Sequence, residues 1–254
     1  MTPYHSNSPI NIKGLSVSYG RKRVLTNIFL KVPAGSIVGV IGPNGAGKST
    51  LFKSILALID INAGDIKVHG QDIEDVRKRI AYVPQKDDVD WTFPATVSDI
   101  VRMGRYPHKR IFQTLNRKDM EISDDAMREL SILDLKDRQI GELSGGQQQR
   151  VFIARALAQE ADLFFLDEPF VGVDMLTEEK IIELLKRLRK EGKTTLVVHH
   201  DLSTVEDYFD HVILLNQRLV AFGKTEEVFN SENINRAYGA QLNILHKTHL
   251  KDVQ

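Results

Sequence analysis

The chain has 254 residues, of which 42% are hydrophobic and 27% are charged, a composition that fits one large globular domain or two small ones. Its 34 basic and 34 acidic residues cancel, so it lacks the basic excess of a nucleic-acid-binding protein, and no nucleic-acid partner is expected. Cysteine is absent, which excludes disulfides and thiolate metal sites, and no apolar run approaches the roughly 18 residues of a membrane span.

The N-terminal segment predicts a flexible lead-in followed by antiparallel strands. Residues 1–9 are polar and lack the apolar core of a signal peptide, so we expect them to be flexible. Hydrophobic residues alternate over 10–35, with turns at Gly20–Arg23 and Pro33–Gly35. Tyr19 precedes the first turn and, taken alone, is best explained as a half-buried strand residue.

A buried strand, a glycine-rich loop and a helix are predicted next. Ser36–Ile41 is an apolar, β-branched run, and Leu51, Ile55 and Leu58 share one face at helical spacing. Between them, Gly42–Ser49 has the pattern Gly-x-x-x-x-Gly-Lys-Ser of a phosphate-binding P-loop. A chance glycine-rich turn would rarely have both flanking elements in place, so we interpret the loop as a nucleotide site.

The residue types in this loop explain its chemistry. Gly42, Gly45 and Gly47 let backbone N–H groups approach phosphate oxygens without an intervening Cβ, at a helix N-terminus whose dipole favours anions. Lys48 adds a positive charge for the β and γ phosphates, and the Ser49 hydroxyl can ligate Mg²⁺.

The rest of the chain predicts a helical insert within alternating strands and helices. Strands are expected at residues 66–68, 80–83, 163–166, 194–198, 212–215 and 219–222. Helical spacing marks the insert at 86–142 and a helix at 151–159. Thr177 can cap a further helix, which Gly192 ends, and residues 224–254 form a partly helical tail whose last residues, 246–254, we expect to be flexible.

Two carboxylates follow an apolar strand. Asp167 and Glu168 come directly after Leu163–Leu166. Alone, they would be two charges where a strand enters solvent. Beside a P-loop, Asp167 is expected to reach the Mg²⁺ shell and Glu168 to polarise an attacking water as general base.

A second glycine pair precedes a predicted helix. The run Leu143-Ser144-Gly145-Gly146-Gln147 would make another anion-binding helix N-terminus, with the Ser144 hydroxyl as an additional donor. One P-loop already supplies a phosphate site, so a second such site requires a separate explanation.

With these motifs together, the chain resembles the nucleotide-binding subunit of ATP-binding cassette (ABC) transporters over nearly its whole length. The resemblance implies an α/β P-loop NTPase fold with a RecA-like core, an N-terminal antiparallel β subdomain and an inserted α-helical subdomain at about 90–150. It implies a single nucleotide-binding domain over 10–245, with ATP and Mg²⁺ as cofactors. In that family two cassettes pack head to tail, and the signature of one covers the γ-phosphate on the P-loop of the other.

The resemblance also implies residue roles, which match the family's motifs in order. Nucleotide contacts are expected from Tyr19, which stacks on adenine, and from Gly42, Pro43, Asn44, Gly45, Ala46, Gly47, Lys48, Ser49 and Thr50 of Walker A. Further contacts are expected from Ser144, Gly145, Gly146 and Gln147 of the signature and from Asp174 of the D-loop. The implied catalytic residues are Glu168, His200, Lys48 and Gln85, and the implied Mg²⁺ ligands are Ser49, Gln85 and Asp167.

The chain has two pairs of closely spaced histidines. His199 and His200 are adjacent at a strand end and should face opposite ways, and the family pattern of one His before Asp selects His200 as the switch residue. A metal site from this pair is geometrically poor. His246 and His249 have chelating spacing, but a solvated tail is the simpler interpretation.

Details of the insert narrow the resemblance to bacterial importers of manganese, zinc or iron. The segments that carry it include 82–85, 89–94, 103–106, 168–174 and Arg236-Ala237-Tyr238-Gly239, and the Val-Asp-Trp-x-Phe-Pro form resembles the manganese branch most. The implied function is the ATP-hydrolysing motor of a metal-ion importer, located on the cytoplasmic face of the membrane. The alternatives are a zinc or iron (chelate) importer, a soluble cassette ATPase of translation or DNA repair, a non-hydrolysing module and an exporter.

Three kinds of partner are implied: a second copy of the chain, membrane permease subunits and, indirectly, an extracytoplasmic metal-binding protein. Trp91, Phe93 and Val97 are more apolar than an exposed insert requires, and we predict that they line a groove for a short permease helix. The nearby Asp87, Asp88 and Asp90 could suggest a metal site, but we interpret them as a solvated loop beside that surface.

Overall fold

The computed structural model describes residues 8–110 and 112–239, so residues 246–254 and nearly all of 1–9, both predicted to be flexible, lie outside the described part. The chain divides into two compact units, the first comprising Met1–Asp75 and Leu196–Gln254 and the second Val76–Thr195. Across the described residues, the structure contains no helix with the length and apolar character that crossing a membrane requires.

Strands and helices alternate through most of the described chain. The strands are β1 (Ile10–Tyr19), β2 (Lys22–Val32), β3 (Ile37–Ile41), β4 (Ala63–Val68), β5 (Ile80–Val83), β6 (Leu163–Asp167), β7 (Thr194–His199), β8 (His211–Asn216) and β9 (Arg218–Lys224). The α-helices are α1 (Lys48–Ile55), α2 (Ile73–Val76), α3 (Val97–Met103), α4 (Arg117–Glu129), α5 (Gly145–Ala158), α6 (Met175–Lys190), α7 (Val205–Tyr208), α8 (Thr225–Val228) and α9 (Ser231–Tyr238).

The first unit contains two sheets. One is antiparallel in the order β2-β1-β4, with Ile10 opposite both Val32 and Val68, and its alternating apolar residues form a buried face. The other has the order β7-β3-β8-β9, in which β3 and β8 are parallel and β8 and β9 form an antiparallel hairpin. Every residue of β3 is buried, as expected for a continuous apolar run in a parallel sheet.

The second unit is mainly helical. Its strands β5 and β6 are parallel, with Ile80 opposite Leu163, and Arg79 and Asp162 form an ion pair of 2.7 Å beside them. Helices α3, α4 and α5 pack together around buried residues such as Val97 and Met127. The architecture of the two units confirms the predicted α/β P-loop fold with an antiparallel β subdomain and a helical insert.

A buried ionic cluster fixes the helices of the second unit. The Arg105 guanidinium bonds to Asp119 at 3.2 Å, to Glu160 at 2.7 Å and to the Ala158 carbonyl at 2.6 Å, and Lys109 pairs with the same Asp119. Burial alone raises the pKa of Asp119, but hydrogen bonds from Lys109, the Asn116 backbone and Arg105 outweigh it and lower the pKa to about 2. The cluster therefore ties the start of α4 to the end of α5.

Three element boundaries differ from the predictions. Helix α1 ends at Ile55, and Leu58, predicted to share its buried face, is 53% exposed. Helix α5 begins at Gly145, six residues before the predicted start, because Ser144 and Gln147 form a capping box. Helix α6 begins at Met175 with Asp174 as its N-cap, so Thr177 is not the cap but donates its N–H to the cap at 2.8 Å.

We predict that Asp119→Ala destabilises the second unit by about 3–5 kcal/mol, because removing one partner leaves buried positive charge uncompensated. Arg117→Ala, which breaks an exposed pair with Glu121 on the same helix, should cost less than about 0.5 kcal/mol. Urea unfolding followed by circular dichroism measures both.

The same variant predicts a pH dependence. A carboxyl group whose folded pKa is lowered from 3.8 to about 2 contributes stability that is complete above the unfolded pKa and is lost as the pH falls towards the folded one. The stability difference between wild type and Asp119→Ala should therefore shrink between about pH 4 and pH 2. A difference that is independent of pH over this range would contradict the ionic role of Asp119.

Candidate functional site

The P-loop of the first unit connects β3 to the start of α1. Gly45 and Gly47 have φ of 79° and 97°, in the left-handed region that glycine adopts without strain, and Gly47 is the N-cap of α1. The Ala46 N–H donates to the Pro43 carbonyl at 3.1 Å, and the Lys48 ammonium donates to the Gly42 carbonyl at 2.7 Å. Lys48 is thus held within the loop, at the positive end of the helix dipole.

The turn between β8 and β9 supports the loop from behind. A Cβ on Gly42 would lie 2.0 Å from the Leu215 carbonyl oxygen, so only glycine fits there. The Gln217 N–H donates to the Ala46 carbonyl, and the Thr26 N–H donates to the Gln217 carbonyl, both at 2.8 Å. The sequence predicts the two strands but gives no signal that the turn between them contacts the P-loop, because the contact joins residues about 170 positions apart.

The remaining P-loop residues differ in exposure. Asn44 and Gly45 are exposed, Pro43 and Ala46 are buried, and Ser49 and Thr50 are half-buried. Tyr19, at the end of β1, is 51% exposed, more than a half-buried strand residue requires. Its ring can therefore stack on a planar ligand group.

The two histidines after β7 have different environments. His199 is 2% exposed, and its Nε2 lies 2.8 Å from the Thr204 hydroxyl, whereas His200 is exposed. Burial, followed by the nearby His200, lowers the pKa of His199 to about 4, so His199 is neutral at pH 7. His200 is the histidine that a ligand can reach, in agreement with the expectation from the motif.

In the second unit, β6 ends in the two predicted carboxylates. Asp167 is buried, and Glu168 is half-buried with φ of 53°, a left-handed conformation that is uncommon for a residue with a side chain. The Gln85 amide donates to the Glu168 carboxylate at 2.9 Å. The structure therefore brings together Gln85 and Glu168, which are 83 residues apart in sequence, and leaves the amide oxygen of Gln85 available as a ligand.

The second glycine pair forms the first turn of α5. Ser144 is exposed and accepts the Gln147 N–H at 3.3 Å, while Gln147 accepts the Ser144 N–H at 2.9 Å. The N–H groups of Gly145 and Gly146 have no intrahelical acceptor, since they lie in the first turn. A Cβ on Gly145 would lie 2.9 Å from the Lys86 ammonium, so a cation that the motif analysis did not single out lies beside this helix end.

Asp174 begins the next helix near this turn. It is exposed, and it accepts the Thr177 N–H at 2.8 Å and the Thr177 hydroxyl at 3.1 Å. The Thr177 N–H in particular keeps the pKa of Asp174 below its ordinary value. Asp174 is therefore an ionised, pre-oriented carboxylate at pH 7.

Each unit contains groups that can bind a phosphate or act on it chemically. The first unit offers a loop of backbone N–H groups with a fixed lysine, an exposed aromatic ring and an exposed histidine. The second unit offers a carboxylate oriented by an amide, a buried carboxylate at a strand end and a second helix N-terminus. Within the described residues, each sequence-predicted site residue lies at an element end or in a loop, where binding groups are usually presented.

Comparison with known proteins identifies close relatives. A family model described as ABC transporter matches residues 25–171. The chain is 51% identical over 237 residues to the manganese transport system ATP-binding protein MntB of Bacillus subtilis (strain 168), covering 93% of this chain and 95% of that protein. It is 48% identical over 233 residues to the zinc transport system ATP-binding protein TroB of Treponema pallidum (strain Nichols), covering 92% and 88%.

A solved structure shows the same fold over the full length. The cbiO1 protein from Clostridium perfringens, described as part of the ABC transporter complex cbiONQ, has a TM-score of 0.75 and 28% sequence identity. The similarity covers 97% of this chain and 100% of that chain. The fold is therefore shared across the whole of the described structure rather than around the P-loop alone.

We predict that Gly42→Ala impairs the phosphate site, because the added Cβ collides with the Leu215 carbonyl and displaces the loop. A displacement of about 1 Å should lower kcat/KM for MgATP by on the order of 10²-fold. Gly70→Ala is the matched control, since Gly70 has φ of 76° but no atom within 4 Å of an added Cβ. It should lose some stability and keep its MgATP kinetics. Equal kinetics for Gly42→Ala and wild type would show that the loop tolerates the displacement.

Proposed function

Since this chain belongs to the ABC transporter family, we propose that it is the ATP-hydrolysing subunit of a bacterial importer for divalent metal ions, with manganese as the ion. The observation that carries the proposal is the 51% identity to a manganese transport ATP-binding protein over 93% of the chain. The 48% identity to a zinc transport ATP-binding protein makes zinc the second candidate, and an iron (chelate) importer is the third.

ATP binding and hydrolysis follow from membership of the family, and the site residues are proposed on the motif pattern and the local geometry. Residues 10–245 would form one cassette, with the helical subdomain at about 90–150. Tyr19 would stack on adenine, and the loop residues 42–50 would surround the phosphates with their N–H groups. The fit is supported by Gly42, where the backbone of the turn after β8 leaves no room for a side chain.

We propose that Mg²⁺ accompanies the nucleotide. Hydroxyl, carboxylate and amide oxygens are the donors that Mg²⁺ prefers, so Ser49 of the first unit and Asp167 and Gln85 of the second fit as its ligands. The ion would neutralise negative charge on the phosphates. The Gln85 amide nitrogen is engaged with Glu168, which directs its oxygen to other ligands.

We propose Glu168 as the general base that accepts a proton from the attacking water. The hydrogen bond that the Gln85 amide donates orients the Glu168 carboxylate. This bond also links Glu168 to the residue directly before the insert. His200 would donate a hydrogen bond to the γ-phosphate, and Lys48 would stabilise the charge that develops on it. His199 would stay neutral behind His200, since its pKa of about 4 prevents protonation at pH 7.

We propose that the second helix N-terminus acts on the nucleotide of a second copy of the chain. Ser144, Gly145, Gly146 and Gln147 would cover the γ-phosphate held by a partner cassette, with Asp174 close to the same contact. A pair of chains would thus enclose two nucleotides, and an extracytoplasmic metal-binding protein would deliver the ion to the membrane subunits. Family membership implies association with a membrane permease, and we place the chain on the cytoplasmic face.

The permease surface is proposed at the connection between α3 and α4. Val97 is 0% exposed, so it cannot line a docking groove, and the Trp91 indole N–H is bound to the Lys86 carbonyl at 2.9 Å. The prediction is therefore wrong for Val97, which begins α3 on its packed side, whereas Phe93 is 56% exposed. A groove of about 790 Å³ lies instead beside apolar residues that include Met103, Tyr106 and Phe112.

This groove has the character of a docking surface. The Phe112 side chain is fully exposed, and basic Arg102 and Arg110 lie at its rim. An exposed apolar patch with charged edges is typical of a protein partner site. We propose that a short permease helix with apolar residues and a carboxylate occupies it.

We predict that Glu168→Gln lowers hydrolysis by about 10²–10⁴-fold, because the amide cannot accept a proton. ATP binding should persist, since the P-loop is unchanged. Bound ATP would then hold two copies together through the signature, and gel filtration with MgATP should show a dimer that is absent without nucleotide. A monomer under both conditions, with ATP binding verified by calorimetry, would contradict the role of the signature in a second chain.

The same variant tests the transported ion. Cells in which Glu168→Gln replaces the wild-type chain should accumulate less manganese, because the variant hydrolyses ATP too slowly to drive transport. Elemental analysis of cells grown with equal manganese, zinc and iron measures this directly. Reduced zinc with unchanged manganese would favour the second candidate, and unchanged levels of all three metals would contradict metal import.

We predict that Phe112→Asp abolishes association with the permease and keeps ATP hydrolysis by the isolated chain, because the side chain is exposed and contributes nothing to the core. Phe29→Asp is the matched control: Phe29 is also exposed, on β2 of the first unit, and should leave association unchanged. Co-purification with the permease from detergent is the measurement. Phe93→Asp, tested in parallel, distinguishes the groove from the segment before α3.

A further inference from the structure

The last helix of the described chain, α9, contacts the back of the P-loop region and has no part in the proposed function so far. Ala237 and Tyr238 at its end are buried, although the rest of the helix is largely exposed. The Asn216 side-chain amide donates to the Ala237 carbonyl at 2.8 Å and fixes the end of the helix against the turn after β8. These residues belong to the Arg236–Gly239 segment that the sequence singled out.

Leu215 and Asn216 at the end of β8 and Gln217 in the turn after it contact two parts of this unit. The Leu215 carbonyl lies against Gly42, and the Gln217 N–H bonds to the Ala46 carbonyl, so the first and third residues contact the P-loop. Asn216, between them, binds the tail helix. Gln217 has φ of 57°, a conformation that a residue with a side chain keeps only where its surroundings enforce it.

The Tyr238 hydroxyl is buried and has no hydrogen-bond partner among the described residues. Tyr238 follows Ala237, whose carbonyl is bound to Asn216, between the two residues that contact the P-loop. Burial raises the pKa of Tyr238 to about 12, and the Gly42 backbone opposes this rise. A group that lowers the pKa of a phenol is a donor, so the Gly42 N–H is the group of the loop that the hydroxyl oxygen can accept.

We propose that Tyr238 and Asn216 are positioning residues for nucleotide binding, which rests on the P-loop function proposed above. A buried hydroxyl without a partner is unfavourable, and an adjacent N–H can relieve it by a small movement of the loop. The Tyr238 oxygen accepts the Gly42 N–H when the loop closes on the phosphates, while Lys48 and the loop amides turn to the ligand. Through this hydrogen bond, helix α9 stabilises the form of the P-loop that binds phosphate.

The experiment compares Tyr238→Phe with wild type in the full-length chain. Phenylalanine keeps the ring and removes only the hydroxyl, so the thermal midpoint should not fall. Loss of one hydrogen bond formed in the bound state should weaken MgATP affinity by roughly 2- to 10-fold, raise KM by the same factor and leave kcat at saturating ATP unchanged. Asn216→Ala should shift KM in the same direction, because it releases the helix end that carries Tyr238.

Arg236→Ala is the matched control on the same helix. Arg236 is exposed and bonds to Asn233, one turn away from the P-loop contact, so its removal should leave KM and the thermal midpoint unchanged. Unchanged MgATP affinity in Tyr238→Phe would overturn the proposal, and so would a loss of affinity accompanied by a lower thermal midpoint, which would indicate loosened packing. Failure of the wild type to bind MgATP would instead contradict the proposed function itself.

Discussion

The structure depends on holding one short stretch of backbone, the P-loop, in a fixed shape at the N-terminus of a helix. Loop amides at a helix N-terminus bind phosphate only if other groups satisfy the loop carbonyls and keep side chains out. Here the Gln217 N–H donates to the Ala46 carbonyl, and the Lys48 ammonium donates to the Gly42 carbonyl. The Leu215 carbonyl excludes any side chain at Gly42. The buried β3 and the β8–β9 hairpin exist in this unit as the frame that keeps this loop open to a ligand.

The second unit combines a rigid part with an adjustable part. The cluster of Arg105, Lys109 and Asp119 is buried and charged, so it is costly to disrupt and fixes the helices beside the proposed permease groove. The Gln85–Glu168 bond is a single contact between half-buried groups and can break and re-form cheaply. A change in the position of Gln85 would therefore alter the orientation of the Glu168 carboxylate without disrupting the helices.

Much of the fold and of the candidate site could be predicted because the signals are local. The P-loop, the apolar strand before Asp167 and the exposure of His200 each follow from a few consecutive residues. The start of α5 was missed because the capping box of Ser144 and Gln147 extends the helix into a glycine pair that propensity alone would leave as loop. Val97 was misplaced because an isolated apolar residue does not reveal which side of its helix packs.

Contacts between distant segments could not be predicted from one sequence. Nothing in the hairpin near Gln217 indicates that it supports the P-loop, and nothing in the tail indicates that Asn216 binds the Ala237 carbonyl. Such contacts depend on the register and packing of whole sheets, which a local pattern does not contain. Helix α9 illustrates the point, since its composition is that of a solvated surface segment and only two of its residues, Ala237 and Tyr238, are buried.

The left-handed backbone at Glu168 has a consequence for which acid can occupy that position. Aspartate and asparagine adopt this conformation more readily than glutamate does, so backbone preference alone would place the shorter acid after β6. The glutamate must accept torsional strain of about 1–3 kcal/mol in exchange for one more methylene group of reach. That extra length carries the carboxylate to the Gln85 amide. The position therefore requires both an uncommon backbone torsion and a long acidic side chain. Aspartate is equally acidic but does not reach the amide.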